Sequence, residues 1–162
     1  MLRYCPHCWA ENPYEAQICQ ACGESLNEGD KEFASKLIDA IAHPEPTRAA
    51  LAVEILGSYL RERRAVPALL HRLARPADST DVAAGAARAL GQIGDRQAVP
   101  LLVDALADRE RPLVVRLAAA EALAELDGKA ARLALDRTAR QEDLPRLLRR
   151  LLATLTNDEE TA

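Results

Sequence analysis

Four cysteines are the residues of this 162-residue sequence best suited to chemistry. Cys5-Pro6-His7-Cys8 and Cys19-Gln20-Ala21-Cys22 form two Cys-x-x-Cys pairs with ten residues between them. Each pair can wrap two thiolates around one ion at about 2.3 Å, and two such loops complete a closed tetrahedral site. Structural zinc is bound in this way, with no open position for a substrate. A redox dithiol is the alternative, but it wants a single pair in a β-α-β setting, and the sequence offers none. His7 could replace a thiolate; it reads instead as a surface residue of its loop. Gly23, directly after the last cysteine, permits the left-handed backbone that turns amides toward the sulfurs. The expected cofactor is therefore one structural Zn²⁺ on Cys5, Cys8, Cys19 and Cys22.

The segment around these thiols is built unlike the rest of the chain. Of five aromatic residues, Tyr4, Trp9 and Tyr14 lie within the first 14 positions, and they read as the small core of a short module, with an exposed docking surface as the alternative. Its residues Tyr4-Cys5-Pro6-x-Cys8, Glu11-Asn12-Pro13, Ala16, Ile18-Cys19-x-x-Cys22-Gly23 and Leu26 resemble the short zinc-ribbon modules attached to many prokaryotic proteins. The sequence departs from that family at Trp9, where glycine usually follows the second cysteine. The departure bears on the turn of the first knuckle and not on the ligand set. Between residues 1 and 25, Arg3 is opposed by Glu11, Glu15 and Glu24, a net charge of −2. Four thiolates on a divalent ion add a formal −2, so the module lacks the cationic surface that phosphate binding needs.

Positioning elements follow from residue 31 onward, where Ala, Leu and Arg, all good helix formers, dominate. The stretch 86–107 reads as the end of one helix, a Gly94-Asp95 turn, and a second helix opening at Val99-Pro100. Similar stretches lie on both sides. Leu56-Gly57, Leu90-Gly91 and Leu123-Ala124 are separated by 34 and 33 residues, each closing an Ala-rich helix, while Ala65-Val66-Pro67 matches Ala98-Val99-Pro100. Three copies at this period indicate a solenoid. Eight helices are expected near 31–42, 46–60, 65–75, 79–93, 97–108, 112–126, 129–140 and 143–156. Breaks fall at Pro44-Glu45-Pro46, Arg75-Pro76, Arg111-Pro112 and Leu144-Pro145. The last helix, with Leu147, Leu148, Leu151, Leu152 and Leu155, is expected to seal the array, with docking of a second copy as the other use.

Ala89-Leu90-Gly91-x-Ile93-Gly94-Asp95-x-x-Ala98-Val99-Pro100-x-Leu102 and Val115-Arg116-x-Ala118-Ala119-x-x-Ala122-Leu123 resemble the HEAT repeat family, particularly the short bacterial repeats related to phycobilin-lyase HEAT-like repeats. The resemblance implies a right-handed, all-α solenoid of antiparallel helix pairs, mostly used for scaffolding and protein binding. The expected organisation is a zinc ribbon at 1–26, a linker at 27–30, HEAT-like repeats at 31–156 and an acidic tail at 157–162.

In such arrays the second helices are expected to line the concave face. Their polar positions align into one row, Asp39, His71, Asp104 and Arg137, and another, His43, Arg75, Asp108 and Gln141. From these, Asp39, His71, Arg75, Asp104, Asp108 and Arg137 are the candidate partner-binding residues. Residues 31–157 carry 20 basic against 17 acidic side chains, too even a balance for a nucleic-acid groove. No Ser or Cys nucleophile sits in a recognisable motif, and Gly91 and Gly94 serve a turn, not a phosphate loop. Asp39, His71 and Asp104 facing one groove would make at most a weak metal or acid–base site. No apolar run is long enough for a signal peptide or a membrane span, and the cysteine usage suits a reducing cytoplasm. The expected function is a non-enzymatic adaptor binding a protein partner, with no nucleic acid, no membrane, and self-association through the C-terminal helix as an option. An accessory enzyme of the tetrapyrrole-lyase type is the alternative.

Overall fold

The computed structural model describes residues 1–27, 29, 31–75 and 79–157. The acidic tail expected at 157–162 lies outside the described residues except for Asn157, as do Pro76 and, in the linker, positions 28 and 30. Two short strands, β1 (Leu2–Tyr4) and β2 (Glu11–Pro13), pair antiparallel with Arg3 opposite Asn12. Eight α-helices follow among the described residues: α1 (Phe33–Ala40), α2 (Pro46–Glu54), α3 (Val66–Ala74), α4 (Thr80–Ile93), α5 (Val99–Ala107), α6 (Leu113–Leu126), α7 (Lys129–Ala139) and α8 (Arg146–Asn157).

Local chemistry sets most of the boundaries. Proline occupies the first turn of α2, α3 and α5, where its missing N–H is no loss. Single 3₁₀ turns lead into α3 and α5, opened by Glu62 and Asp95, whose carboxylates accept from Arg64 N–H and Gln97 N–H. Gly94 ends α4 in the left-handed conformation at φ 78°, its N–H returning to Leu90 and Gly91 carbonyls. The equivalent positions 33 residues away, Arg61 and Asp127, also have positive φ, at 46° and 43°.

The uneven 34- and 33-residue spacing has a structural cause. After Glu54 the chain makes one π-helical turn, Ile55–Tyr59, in which Leu60 N–H reaches back to Ile55 C=O at 3.0 Å. A π turn holds one residue more than an α turn. It absorbs the extra residue between Gly57 and Arg61, so α3, α5 and α7 keep a strict 33-residue period.

The helices form two layers. In the Ala-rich layer, α4 lies against α2 and α6 along its length, whereas α3 and α5 touch only sparsely. Glycine permits the close approach: a Cβ on Gly57 would sit 2.6 Å from Ala89 Cα, and one on Gly91 2.7 Å from Ala122 Cα. In the third copy Ala124 replaces glycine because α8, not another Ala-rich helix, comes next to α6. An array bends toward the layer whose members sit closer. The inner face therefore belongs to α2, α4 and α6, which corrects the expectation that the second helices line it.

The C-terminal helix seals the end of the array. Leu148 and Leu152 are fully buried, and Leu144, Leu151 and Leu155 join the same core.

The N-terminal module has its own small core of Cys5, Cys19 and Leu26, flanked by Ala10 and Ala16. The aromatic core expected of Tyr4, Trp9 and Tyr14 is not there. Tyr14 is exposed, while Tyr4 and Trp9 face the array and enclose His43, with ring centroids 5.1 and 4.6 Å from the imidazole. The module thus packs on the start of the array through two of its aromatic rings. A 25-residue module has too little interior to bury three rings, so two of them rest against the array instead, Trp9 half-buried and Tyr4 still 37% exposed.

Candidate metal centre and binding faces

The four sulfurs lie within 4.8 Å of one another, and among the described residues no other group of His, Cys, Asp and Glu is placed to hold a metal ion. Cys5 Sγ is 3.7 Å from Cys22 Sγ, and Cys8 Sγ is 3.6 Å from Cys19 Sγ. Tetrahedral zinc at about 2.3 Å from each sulfur requires sulfur–sulfur edges of about 3.8 Å. The cluster therefore fits zinc.

Two knuckles of the same construction present these thiols. In the first, Trp9 N–H donates to Cys5 C=O, Cys5 N–H to Ala10 C=O, and His7 N–H to Cys5 Sγ at 2.9, 2.9 and 3.4 Å. In the second, Gly23 N–H donates to Cys19 C=O, Cys19 N–H to Glu24 C=O, and Ala21 N–H to Cys19 Sγ at 2.9, 2.8 and 3.4 Å. Matching positions share the left-handed backbone, Gly23 at φ 76° and Trp9 at φ 59°. The first turn is thus the ordinary knuckle turn, held by a residue that glycine would replace without strain. His7 takes part through its backbone N–H and not as a ligand in the cluster.

Asn12 joins the two knuckles and is a residue that spacing alone did not single out as functional. It is 1% exposed. Its Nδ2 donates to Ala10 C=O and to Cys19 Sγ, at 2.8 and 3.5 Å, and its Oδ1 accepts Gln20 N–H at 2.9 Å. A buried amide one residue into β2, where it meets both loops, is visible only once the strands are paired.

The thiols differ in acidity. Backbone N–H donation from Cys22, with help from Ala21 N–H and the Asn12 amide, outweighs burial and holds Cys19 at about 6. Glu24 N–H acts on Cys22 in the same sense, yet burial and the sulfurs of Cys8, Cys19 and Cys5 push it up to about 12. Four sulfurs this close do not all ionise by themselves, because each thiolate raises the cost of the next. A divalent cation removes that repulsion.

The sequence-derived binding residues fall on the outer layer and at the helix ends. Asp39 is paired with Lys31. His71, Asp104 and Arg137 are exposed on α3, α5 and α7, and no metal-holding group forms from Asp39, His71 and Asp104. Arg75 and Asp108 do come together, lining a small cavity of about 110 Å³ with Thr80, Arg111 and Val115. Asp108 already serves the turn there: its Oδ1 accepts Glu110 N–H at 3.0 Å and its Oδ2 lies 3.6 Å from Arg111 Nε.

A larger groove lies on the inner layer. A cavity of about 430 Å³ between α2 and α4 is lined by Ala50, Glu54, Ser58, Asp81, Gly85, Arg88, Ala89 and Gln92. Glu54 and Arg88 stand 34 residues apart, and Glu121 continues the row 33 further on. Burial, with neighbouring Glu121, raises the pKa of Glu125 at the far end, and Arg61 opposes the rise. The repeat period that aligned the outer row aligns this one equally well; only the direction of bending selects it.

Comparison with known proteins agrees with this architecture. The family described as HEAT repeats matches residues 34–124 and again 72–159, and the double zinc ribbon matches residues 5–43. Among solved structures, the complex of CpcE and CpcF of phycocyanin lyase from Nostoc sp. PCC7120 is similar at 25% identity and a TM-score of 0.63, over 83% of this chain and 57% of that one. Human deoxyhypusine hydroxylase in complex with glycerol is similar at 25% identity and a TM-score of 0.63, over 85% of this chain and 48% of that one. The chain therefore spans about half the length of these structural relatives. Curated proteins gave no match.

Proposed function

Because the chain belongs to the HEAT-repeat family, we propose that it is a non-enzymatic adaptor whose inner groove holds a segment of a protein partner. The groove between α2 and α4 carries this reading. Its walls are locked by the Gly57–Ala89 contact before any partner arrives, so binding orders little of the protein itself. Small residues, Ala50, Gly85 and Ala89, form its floor, and Glu54, Asp81, Arg88 and Gln92 supply polar anchors around it. A mixture of charge signs suits a peptide better than a phosphate backbone. No helix among the described residues is long and apolar enough to cross a membrane, and we place the protein in the cytoplasm, where unpaired thiols persist.

The ribbon's part in this reading is structural. All four cysteines lie by residue 22, a ligand set for one zinc ion, with every position filled by the chain. A partner held by both modules gains affinity through effective concentration.

A photo-crosslinking residue placed at Arg88 tests the adaptor reading in native lysate, with Asp104 on the outer row as the comparison. One discrete protein adduct at 88, weakened by Glu121→Arg, is expected. Absence of any adduct from either position would sink it.

One observation favours a second reading. A similar structure belongs to phycocyanin lyase, and an accessory role in tetrapyrrole attachment would give the groove a pigment to hold. Incubation with a linear tetrapyrrole separates the readings: visible absorbance that co-elutes with the chain supports the accessory role, and a colourless protein supports the adaptor.

A further inference from the structure

We propose that the zinc-loaded ribbon is the N-terminal cap of the helical array, and that metal occupancy is transmitted to α1 and α2 through Trp9 and His43. Arrays of stacked repeats need caps, because their terminal units otherwise present apolar surface to water. At the C-terminal end α8 does this. At the other end, among the described residues, no helix precedes α1, yet His43, just beyond α1, is only 3% exposed. The rings in contact with it are Tyr4 and Trp9 of the ribbon.

Two local costs are concentrated at this contact. Trp9 is left-handed at φ 59°, a conformation that a bulky residue avoids. His43 Nδ1 accepts Glu45 N–H at 2.9 Å, so the neutral ring carries its proton on Nε2, which is buried with no hydrogen-bond partner. Both costs disappear if the first knuckle opens and the ribbon lifts away: Trp9 relaxes, and water reaches Nε2. The docked arrangement therefore depends on something that keeps the first knuckle closed. The Trp9 N–H bond to Cys5 C=O spans the two ligands of that knuckle, so closing Cys5 and Cys8 on an ion fixes Trp9 and aims its indole at the array. Without the ion, nothing joins the Cys5 and Cys8 sulfurs across the turn, and the turn loses its clamp.

This inference rests on the reading of the four thiols as a metal site, and the experiment separates the two. Elemental analysis of the whole chain gives the zinc content, and hydrogen exchange over residues 33–54 is compared with and without a chelator. In the wild type, chelation is expected to speed exchange there by about tenfold or more. Trp9→Gly suits the knuckle backbone and His43→Ala lies outside it, so both are expected to keep their zinc. In both, exchange over 33–54 should already be fast, and chelation should add less than about twofold. Trp9 is the single tryptophan of the chain, so its emission should also shift to longer wavelength in zinc-loaded His43→Ala. Wild-type exchange indifferent to chelation overturns the proposal, as does either zinc-loaded variant that retains both the protection and its chelator response. A wild type without zinc overturns the metal reading and this proposal with it.

Discussion

At the scale of single residues, the ribbon shows how much a buried amide can add to a ligand set. Asn12 donates to Cys19 Sγ, the most acidic thiol resolved, and ties β2 to both knuckles. Asn12→Ala is expected to weaken zinc binding by roughly 10–100-fold, the range for outer partners of metal ligands, in a competition titration against a chelator. A second residue-scale case is Glu62. The Arg64 guanidinium, followed by Arg64 N–H, holds its carboxylate well below the usual range, at about 2, and Arg64 also reaches Glu32 at 2.9 Å. A depressed folded-state value means stabilisation that is complete above the unfolded value near 4.5 and lost as pH falls from there toward 2. The stability difference between wild type and Glu62→Gln, measured by urea unfolding, should be present at pH 6 and shrink below about pH 4.5; a difference independent of pH would contradict it.

At the scale of elements, glycine has two opposite meanings in the Ala-rich layer. Gly57 and Gly91 are contact points where an added Cβ would meet a neighbouring backbone at 2.6 and 2.7 Å. Gly91→Ala should force α4 from α6 and cost about 1–3 kcal/mol in urea unfolding. Gly85 lies mid-helix in α4, and a Cβ there meets only Val53 Cγ1 at 3.5 Å. Gly85→Ala should therefore stabilise by about 0.5–1 kcal/mol, the ordinary gain of alanine over glycine in a helix. Both glycines sit in similar Ala-rich text. The repeat period distinguishes them, since Gly91 matches Gly57 and Gly85 matches Leu51, which is exposed.

At the scale of the whole molecule, the array is closed by unlike caps, a helix at one end and a metal module at the other. Leu148, fully buried on the inward face of α8, is expected to cost about 2–5 kcal/mol when replaced by alanine, read as a lower thermal midpoint for the entire chain. The sequence by itself determined the ligand set, the eight helices and their pairing. Those features are written in short-range terms: thiol spacing, proline and glycine at helix ends, and a 33-residue period. It also contained the 34-residue interval without its reason, a π turn that shows only in the backbone bond from Leu60 N–H to Ile55 C=O. Tertiary structure alone decided which layer is inner, and with it that Glu54, Arg88 and Glu121 share the groove while His71 and Asp104 do not. Bending follows from the relative spacing of two layers, and that spacing depends on which small residues meet across helices. The ribbon's seat on His43 was likewise undecided by the sequence. Trp9 stands where a glycine was expected, and only the fold supplies the imidazole that its ring covers.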